Sequence, residues 1–191
     1  FVQLVWDNTN SEWDVLFDSR SFANGQQTIW IPAASMVSRT TAGAASGSAE
    51  TTTNKIMAET FDFDTTTQEH AQFQISFPKG WDAGVIFFRA HWLTAGTSGT
   101  VYWGLQATCI GDNTAIDTAF GAAQEVIDSV VNADRNNITG YNNSGIIVAN
   151  ASADALCVFQ VYRNVAADTL AADAKLLGIE LLYVASSAMD D

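Results

Sequence analysis

Residues 69–77, EHAQFQISF, decide the fold class because apolar and polar side chains alternate along them. Ala71, Phe73 and Ile75 fall on one face of an extended chain and His70 falls on the other, since side chains in a strand alternate with a period of two. Such a segment is typical of a β-strand with one face in the core and the other in water. The pattern therefore predicts an antiparallel sheet that packs through one face.

Further strands are predicted on both sides of this stretch. The most apolar segments, 84–92 (GVIFFRAHW) and 101–110 (VYWGLQATCI), are expected at the centre of a sheet, with a hairpin loop between them. The other main predicted strands are 55–63, 124–131, 145–148, 155–163 and 174–184. About eight to ten strands with long connections and almost no helix predict an all-β fold, an antiparallel jelly-roll β-sandwich.

The N-terminal part is predicted to be separate from the sandwich. Residues 1–6 (FVQLVW) and 13–17 (WDVLF) indicate two strands joined by turn-forming residues. Residues 1–24 are therefore predicted to be an N-terminal hairpin or connector, and residues 25–191 the jelly-roll domain. Residues 33–53 are nearly all Ala, Ser, Thr and Gly, which indicates a long surface loop.

The charge balance excludes several classes of partner. The 191 residues include 8 Lys and Arg against 21 Asp and Glu, a formal net charge of -13. So few cations cannot neutralise a run of phosphates, which argues against nucleic acid as a partner. No apolar run reaches the roughly 18 residues that a membrane span needs, so no membrane insertion is expected. The chain opens at Phe1 rather than Met, which indicates a processed chain or part of a longer protein.

Candidate catalytic and metal-binding residues are few. His70 is expected at the surface and His91 within a strand, and two histidines are too few for a His-based metal centre or a Ser-His-Asp triad. Asp62 and Asp64 share a strand face and suit a catalytic pair or a calcium site, although a solvated strand end is the favoured interpretation. We therefore predict no catalytic residue, no cofactor, no metal ligand and no enzymatic activity; the binding of a calcium ion is left open.

The tryptophans have two alternative interpretations, a sugar-stacking platform or a core and subunit interface. Those considered are Trp30, Trp81, Trp92 and Trp103. The apolar strands around Trp92 and Trp103 favour the core or an interface for these two. Trp81 lies in the turn PKGWD, where exposure is expected, and it is the predicted ligand contact.

The two cysteines also leave an alternative open. Cys109 and Cys157 are too few for a disulfide framework or a zinc site. Two buried thiols on strands are the favoured interpretation. A single disulfide requires that the two strands pack together.

Several segments resemble one family of β-sandwich domains. They are residues 29–36 (IWIPAASM), 40–44 (TTAGA), 61–64 (FDFD), 71–82 (AQFQISFPKGWD), 101–105 (VYWGL), 161–163 (VYR) and 168–178 (DTLAADAKLLG). Together, over about residues 28–184, they resemble the domain found in virion proteins of tailed bacteriophages, and Arg163 with the segment after it is the most specific part. The resemblance implies a jelly-roll domain at the surface of a phage particle, commonly trimeric, and it implies no catalytic residues.

The last predicted strand gives an independent reason to expect an oligomer. Residues 174–184 are apolar at positions of both parities, which is unusual for an antiparallel strand with one face in water. A subunit interface would cover the second face, so a homotrimer is predicted. The predicted interface residues are Leu176, Leu177, Ile179, Leu181, Leu182 and Tyr183.

The leading functional hypothesis is a non-enzymatic, trimeric, fibre-type domain on the virion surface of an extracellular phage particle. Its expected partners are itself, other virion proteins and a host-surface glycan, bound weakly at repeated sites that give avidity. An alternative in the same class is a capsid decoration protein that stabilises the head. The alternative from another class is a carbohydrate-binding module or a glycan depolymerase, which would need a carboxylate pair in a groove.

Overall fold

Strand pairing dominates the computed structural model, which describes residues 2–7, 12–18 and 25–186 and, for the first two ranges, only the backbone. Within these residues the chain forms thirteen strands and a short 3-10 helix, Ala33–Ser35. The strands are β1 Val2–Asp7, β2 Glu12–Asp18, β3 Gly25–Pro32, β4 Val37–Ser38, β5 Ala45–Glu50, β6 Met57–Phe63, β7 His70–Ile75, β8 Phe87–Leu93, β9 Thr100–Ile110, β10 Gln124–Ser129, β11 Asn137–Ile138, β12 Leu156–Arg163 and β13 Ala174–Ala185. In this described part of the chain, no helix is long and apolar enough to cross a membrane.

Two antiparallel sheets enclose one hydrophobic core. The first has five strands in the order β10-β9-β12-β7-β4. The second has the order β11-β8-β13-β6-β5, and β3 pairs with β13 beyond the end of β6. The predicted all-β jelly-roll sandwich is thereby confirmed.

The N-terminal strands β1 and β2 form a separate two-stranded antiparallel sheet. They coincide with the two strands that the sequence predicts for the N-terminal hairpin. The other residues of that predicted unit, 1, 8–11 and 19–24, lie outside the described residues, as do residues 187–191 at the end of the predicted jelly-roll domain.

The core is built from the inward-facing rows of the strands. In β7, Ala71 and Phe73 are buried, whereas His70, the first residue of the strand, is partly exposed, as the alternation predicts. Trp92 and Trp103 on the central strands are fully buried and contact each other edge to face, with 6.4 Å between ring centroids. Each fully buried large side chain contributes roughly 1.5–3 kcal/mol. These two tryptophans therefore belong to the core.

Part of the predicted loop at 33–53 forms the edge of a sheet. Residues Ala45–Glu50, ASGSAE, form β5 and pair antiparallel with β6. The small side chains suit this position, because a Cβ added to Gly47 would lie 2.8 Å from Oδ2 of Asp62 and 2.9 Å from Oγ1 of Thr60. The composition indicates a loop since small residues bury little area, but pairing with β6 outweighs that preference.

Arg163 holds together the connection between β12 and β13. The side chain is fully buried, and its Nε lies 2.5 Å from Oδ2 of Asp168. Its two terminal nitrogens donate to the carbonyl oxygens of Phe63, Leu170 and Ala172 at 3.1, 2.6 and 2.9 Å. One guanidinium thus fixes the whole connection, which explains why Arg163 and the DTL segment form one motif.

Cys109 on β9 and Cys157 on β12 form a disulfide, which corrects the favoured prediction of two free thiols. The two strands are neighbours in the five-stranded sheet, and their register places the two cysteines directly opposite each other. Directly opposed positions bring Cβ atoms close enough to be bridged. Sequence alone does not specify this register.

Candidate binding site on the six-stranded sheet

A β-bulge in β13 determines which side chains face outward from the six-stranded sheet. The pairing of β13 with β8 shifts between Leu176 and Gly178, so Leu177 is an extra residue and the inward-facing row changes parity there. Four of the six predicted interface residues are consequently buried inside one sandwich, namely Leu176, Ile179, Leu181 and Tyr183. This corrects their assignment to an interface between subunits. Leu177 and Leu182 are partly exposed.

Trp30 on β3 is the exposed member of the tryptophans discussed above. Its side chain is 47% exposed, whereas Trp81 is 3% exposed. The turn that carries Trp81 packs inward, because this residue pairs with Ala185 at the end of β13 and its ring lies 4.3 Å from the ring of Phe77. Trp81 therefore cannot present its ring to a ligand, which corrects the prediction of a contact there.

The indole of Trp30 lies across β13 at Gly178. A Cβ added to Gly178 would be 2.5 Å from both Cζ2 and Cη2 of the indole, so any larger residue would displace the ring. On its far side the indole meets the imidazole of His91 on β8 edge to face, with 4.8 Å between centroids. The ring thus spans three strands and keeps about half of its surface in solvent.

A charged network lies beside Trp30 on the same outer face. Glu180 is opposite Trp30 in the β13–β3 pairing and opposite Arg89 in the β13–β8 pairing, so the three side chains share a row. Nη2 of Arg89 donates to Oε2 of Glu180 at 2.9 Å, and the hydroxyl of Tyr141 donates to Oε1. The guanidinium carbon of Arg89 also lies 5.0 Å from the centroid of the Tyr141 ring, a cation–π contact. We refer to Trp30, Arg89, His91, Tyr141 and Glu180 as the Trp30 cluster.

The Trp30 cluster holds its charges in fixed states near neutral pH. Burial opposes ionisation of Glu180, but hydrogen bonds from Arg89 and Tyr141 outweigh it and lower the pKa of this carboxyl. Burial and the hydrogen bond to Glu180 raise the pKa of Tyr141 to about 12. Burial and then the repulsion of Arg89 lower the pKa of His91, against the attraction of Glu180. Glu180 is therefore ionised while Tyr141 and His91 are neutral, and Arg89 balances the carboxylate.

Two buried nitrogens of the Trp30 cluster lack a hydrogen-bond partner within the described residues. They are Nε of Arg89 and Nε2 of His91. Buried polar atoms are nearly always satisfied, so exceptions mark places where water or a ligand supplies the partner. An exposed aromatic face bordered by fixed donors and acceptors is the arrangement that binds a flat, hydroxyl-bearing molecule, since the ring packs on C–H groups and the polar groups orient hydroxyls.

The sequence carries part of the signal for this site. Arg89 and Glu180 are charged residues in the middle of otherwise apolar predicted strands, where a charge needs a partner. Their pairing with each other, and with Tyr141 from a distant loop, follows from strand order and register. The sequence does not specify either.

The acidic pair considered for catalysis or calcium has structural contacts instead. Asp62 accepts hydrogen bonds from Nζ of Lys175 at 2.9 Å and from Oγ1 of Thr60 at 2.6 Å. Asp64 accepts from the backbone and hydroxyl of Thr66, and these bonds lower its pKa. Among residues 25–186, no group of three or more His, Cys, Asp or Glu side chains is placed to hold a metal ion.

Acidification is expected to weaken the folded state through His91. Because the folded-state pKa lies below the ordinary value of 6.5, the unfolded chain binds the proton more readily. The stability that neutral His91 contributes is fully present above pH 6.5 and is lost as the pH falls from 6.5 toward the folded-state pKa of His91. Because the pKa of Glu180 is also lowered in the folded state, its contribution is lost at still lower pH. Urea unfolding at about pH 7.5 and about pH 5.5 tests this.

The matched variant is His91→Gln, which should show a smaller fall in the unfolding midpoint between the two pH values. His70 contributes a residual fall, since burial lowers its pKa as well. An equal fall in the wild type and in His91→Gln would contradict the assignment to His91.

Comparison with solved structures finds carbohydrate-binding modules that are β-sandwiches. The CBM36-1 domain of a multidomain xylanase from the hindgut metagenome of Trinervitermes trinervoides is 10% identical, with a TM-score of 0.45, covering 81% of this chain and 96% of that domain. TmCBM61 in complex with β-1,4-galactotriose is 12% identical, with a TM-score of 0.33 and coverages of 83% and 86%. The family 11 carbohydrate-binding module from Clostridium thermocellum, in complex with a mixed-linked tetrasaccharide, is 10% identical, with a TM-score of 0.35 and coverages of 94% and 94%. No protein-family model and no curated protein matches the chain.

Proposed function

We propose that this protein is a non-catalytic carbohydrate-binding β-sandwich that holds a glycan on the outer face of its six-stranded sheet. The observation that carries the proposal is the half-exposed indole of Trp30, laid over Gly178 beside the hydrogen-bonded network of Arg89, Tyr141 and Glu180. Pyranose rings present a patch of C–H groups on one face and hydroxyls at their edges. The indole meets the first and the network meets the second.

The charge state of the Trp30 cluster favours an uncharged sugar. Glu180 and Arg89 neutralise each other, and neutral His91 adds no charge. Each oxygen of Glu180 already accepts one hydrogen bond, which leaves a further lone pair for a sugar hydroxyl. A charged ligand would have to compete with the existing ion pair, whereas hydroxyls can add to it.

Binding without catalysis agrees with the carboxylates of this cluster. Glycoside hydrolysis ordinarily uses two carboxyl groups that flank the scissile bond. Glu180 is the one carboxylate in the Trp30 cluster, and its lowered pKa makes it a poor proton donor at neutral pH. This supports the binding module over the depolymerase.

Replacing Trp30 by alanine is expected to weaken glycan binding by about tenfold or more, because a central aromatic contact supplies a large share of the affinity at such sites. A glycan array followed by calorimetry on the best ligand measures the effect. Trp30→Phe should retain part of the affinity. Ile116→Ala serves as a control, since Ile116 is 82% exposed on a loop and lies outside the Trp30 cluster. Unchanged affinity in Trp30→Ala would reject this site.

A place on a bacteriophage particle stays a prediction. In a tail fibre, a head fibre or a capsid decoration, the same binding would hold the particle to host-surface glycans by avidity. The homotrimer also stays a prediction, now with Leu177 and Leu182 as the remaining interface candidates. A trimer closed through Leu182 would cover the sheet face that carries Trp30, so this face cannot serve both as a trimer interface and as a glycan site. Sedimentation velocity distinguishes the two by showing whether the protein is a trimer or a monomer.

A further inference from the structure

The outer face of the five-stranded sheet is rich in uncharged hydrogen-bonding groups. Strand pairing places these side chains in adjacent rows on β7, β9 and β12, where they face away from the core. We call this set the amide face: Gln72, Gln74, Tyr102, Gln106, Gln160 and Tyr162. Glutamine amides both donate and accept hydrogen bonds, so these side chains can donate to a hydroxyl oxygen or accept from a hydroxyl hydrogen.

Tyr162 provides the amide face with a fixed aromatic ring. The ring lies over Gly104 of the neighbouring strand, where an added Cβ would be 2.1–2.6 Å from Cζ, Cε1 and Cε2. Its hydroxyl donates to Oε1 of Glu125 at 2.9 Å, and Asn164 donates to the same oxygen at 2.9 Å. Burial and the bond to Glu125 raise the pKa of the Tyr162 hydroxyl, which therefore stays neutral. As with Trp30 and Gly178, a glycine on the neighbouring strand lets the aromatic ring lie along the sheet.

The amides beside Tyr162 are held in position before any ligand arrives. Gln160 is 3% exposed, and its Oε1 accepts from Nε2 of Gln72 at 3.0 Å and from Nη1 of Arg39 at 3.2 Å. Nε of Arg39 donates in turn to the carbonyl of Thr41 at 3.1 Å. Groups that are fixed in advance lose little conformational entropy on binding.

The charge of the amide face is unusual for this chain. The sequence has a net charge of -13, yet Glu125 is the only carboxylate among the described side chains that project outward from the strands of this sheet. Arg39 lies beside Gln160 at the edge of the same face, and its positive charge offsets the negative charge of Glu125 in the net charge of the face. His70 stays neutral near pH 7 because burial lowers its pKa. A neutral, hydroxyl-rich ligand matches such a face, whereas a polyanion or a polycation finds no complementary charge.

We propose that the amide face is a second carbohydrate site, which takes a neutral glycan chain stacked on Tyr162 and hydrogen-bonded to Gln72, whose amide the buried Gln160 holds in place. The inference shares its ligand class with the proposed function but rests on different residues. The two sites lie on opposite sheets, so one chain would hold two glycan strands at once. Such bivalence would raise the avidity for a polysaccharide surface without any additional contact.

Calorimetric stoichiometry tests the second site. The ligands are neutral gluco-, xylo- and galacto-oligosaccharides, with a polygalacturonate fragment as the charged comparator. The wild type is expected to bind about two neutral oligosaccharides per chain, Trp30→Ala and Tyr162→Ala about one each, and the combined variant none. Tyr162→Phe keeps the ring and should retain both sites.

The outcomes separate this inference from the proposed function. One ligand per wild-type chain, lost in Trp30→Ala, overturns the second site and leaves the proposed function standing. One ligand per chain, lost in Tyr162→Ala but kept in Trp30→Ala, overturns the Trp30 site and supports the amide face. If Tyr162→Ala unfolds, Gln72→Ala replaces it, with an expected loss of about twofold to tenfold at the second site alone. Unchanged affinity there overturns the proposal.

Discussion

Replacing Arg163 by methionine is expected to lower the free energy of unfolding by about 3–5 kcal/mol. Arg163 is fully buried, and Asp168 beside it is 4% exposed, so the substitution leaves a carboxylate in the interior without its cation. The carbonyl oxygens of Leu170 and Ala172 lose their donor at the same time. An unpaired buried charge costs far more than the loss of one exposed ion pair.

The measurement is chemical denaturation of matched variants. Arg163→Lys keeps the charge but cannot reproduce the guanidinium fork, so it should remain clearly less stable than the wild type. Arg135→Met removes a solvent-exposed arginine and should stay within about 0.5 kcal/mol of the wild type. A loss below about 1 kcal/mol in Arg163→Met would show that the connection between β12 and β13 does not depend on this residue.

The alternating strands were predictable from the sequence, whereas the side of the sheet that each residue of β13 faces was not. In β7 the period of two is uninterrupted, so Phe73 is buried and His70 is partly exposed as predicted. In β13 the extra residue at Leu177 changes the parity of the inward row. Leu176 and Ile179, of opposite parity, then face the same core. The bulge therefore explains why buried residues of both parities occur in β13, while Leu177 and Leu182 remain partly exposed.

The candidate sites were predictable by residue type but not by position. An aromatic residue was expected to contact a ligand, but the sequence favoured Trp81 because it lies in a turn. The structure buries Trp81 against Phe77 and exposes Trp30, which lies in the middle of a strand. What distinguishes Trp30 is that its ring lies over Gly178 on the neighbouring strand, and this placement depends on long-range register. Tyr162 depends on Gly104 in the same way.

Reduction of the disulfide between Cys109 and Cys157 is expected to lower the free energy of unfolding by about 4 kcal/mol, from the loop-closure entropy of a 48-residue separation. The cross-link joins β9 to β12, which are neighbours in the sheet but are separated in sequence by β10 and β11. It therefore closes a long loop and restricts the unfolded chain. Both cysteines are fully buried, so the folded protein should resist reductant until it opens. Denaturation with and without reductant measures the difference.

The double variant Cys109→Ala/Cys157→Ala isolates the cross-link from the chemistry of the reductant. It should unfold at about the midpoint of the reduced wild type and should not respond to reductant. Two thiols titrating in the unreduced, denatured wild type would contradict the disulfide. Such a bond persists in oxidising surroundings and is rare in reducing ones. A stability that depends on it would therefore be consistent with the extracellular location that the sequence predicts, where the sites proposed at Trp30 and Tyr162 would meet glycans.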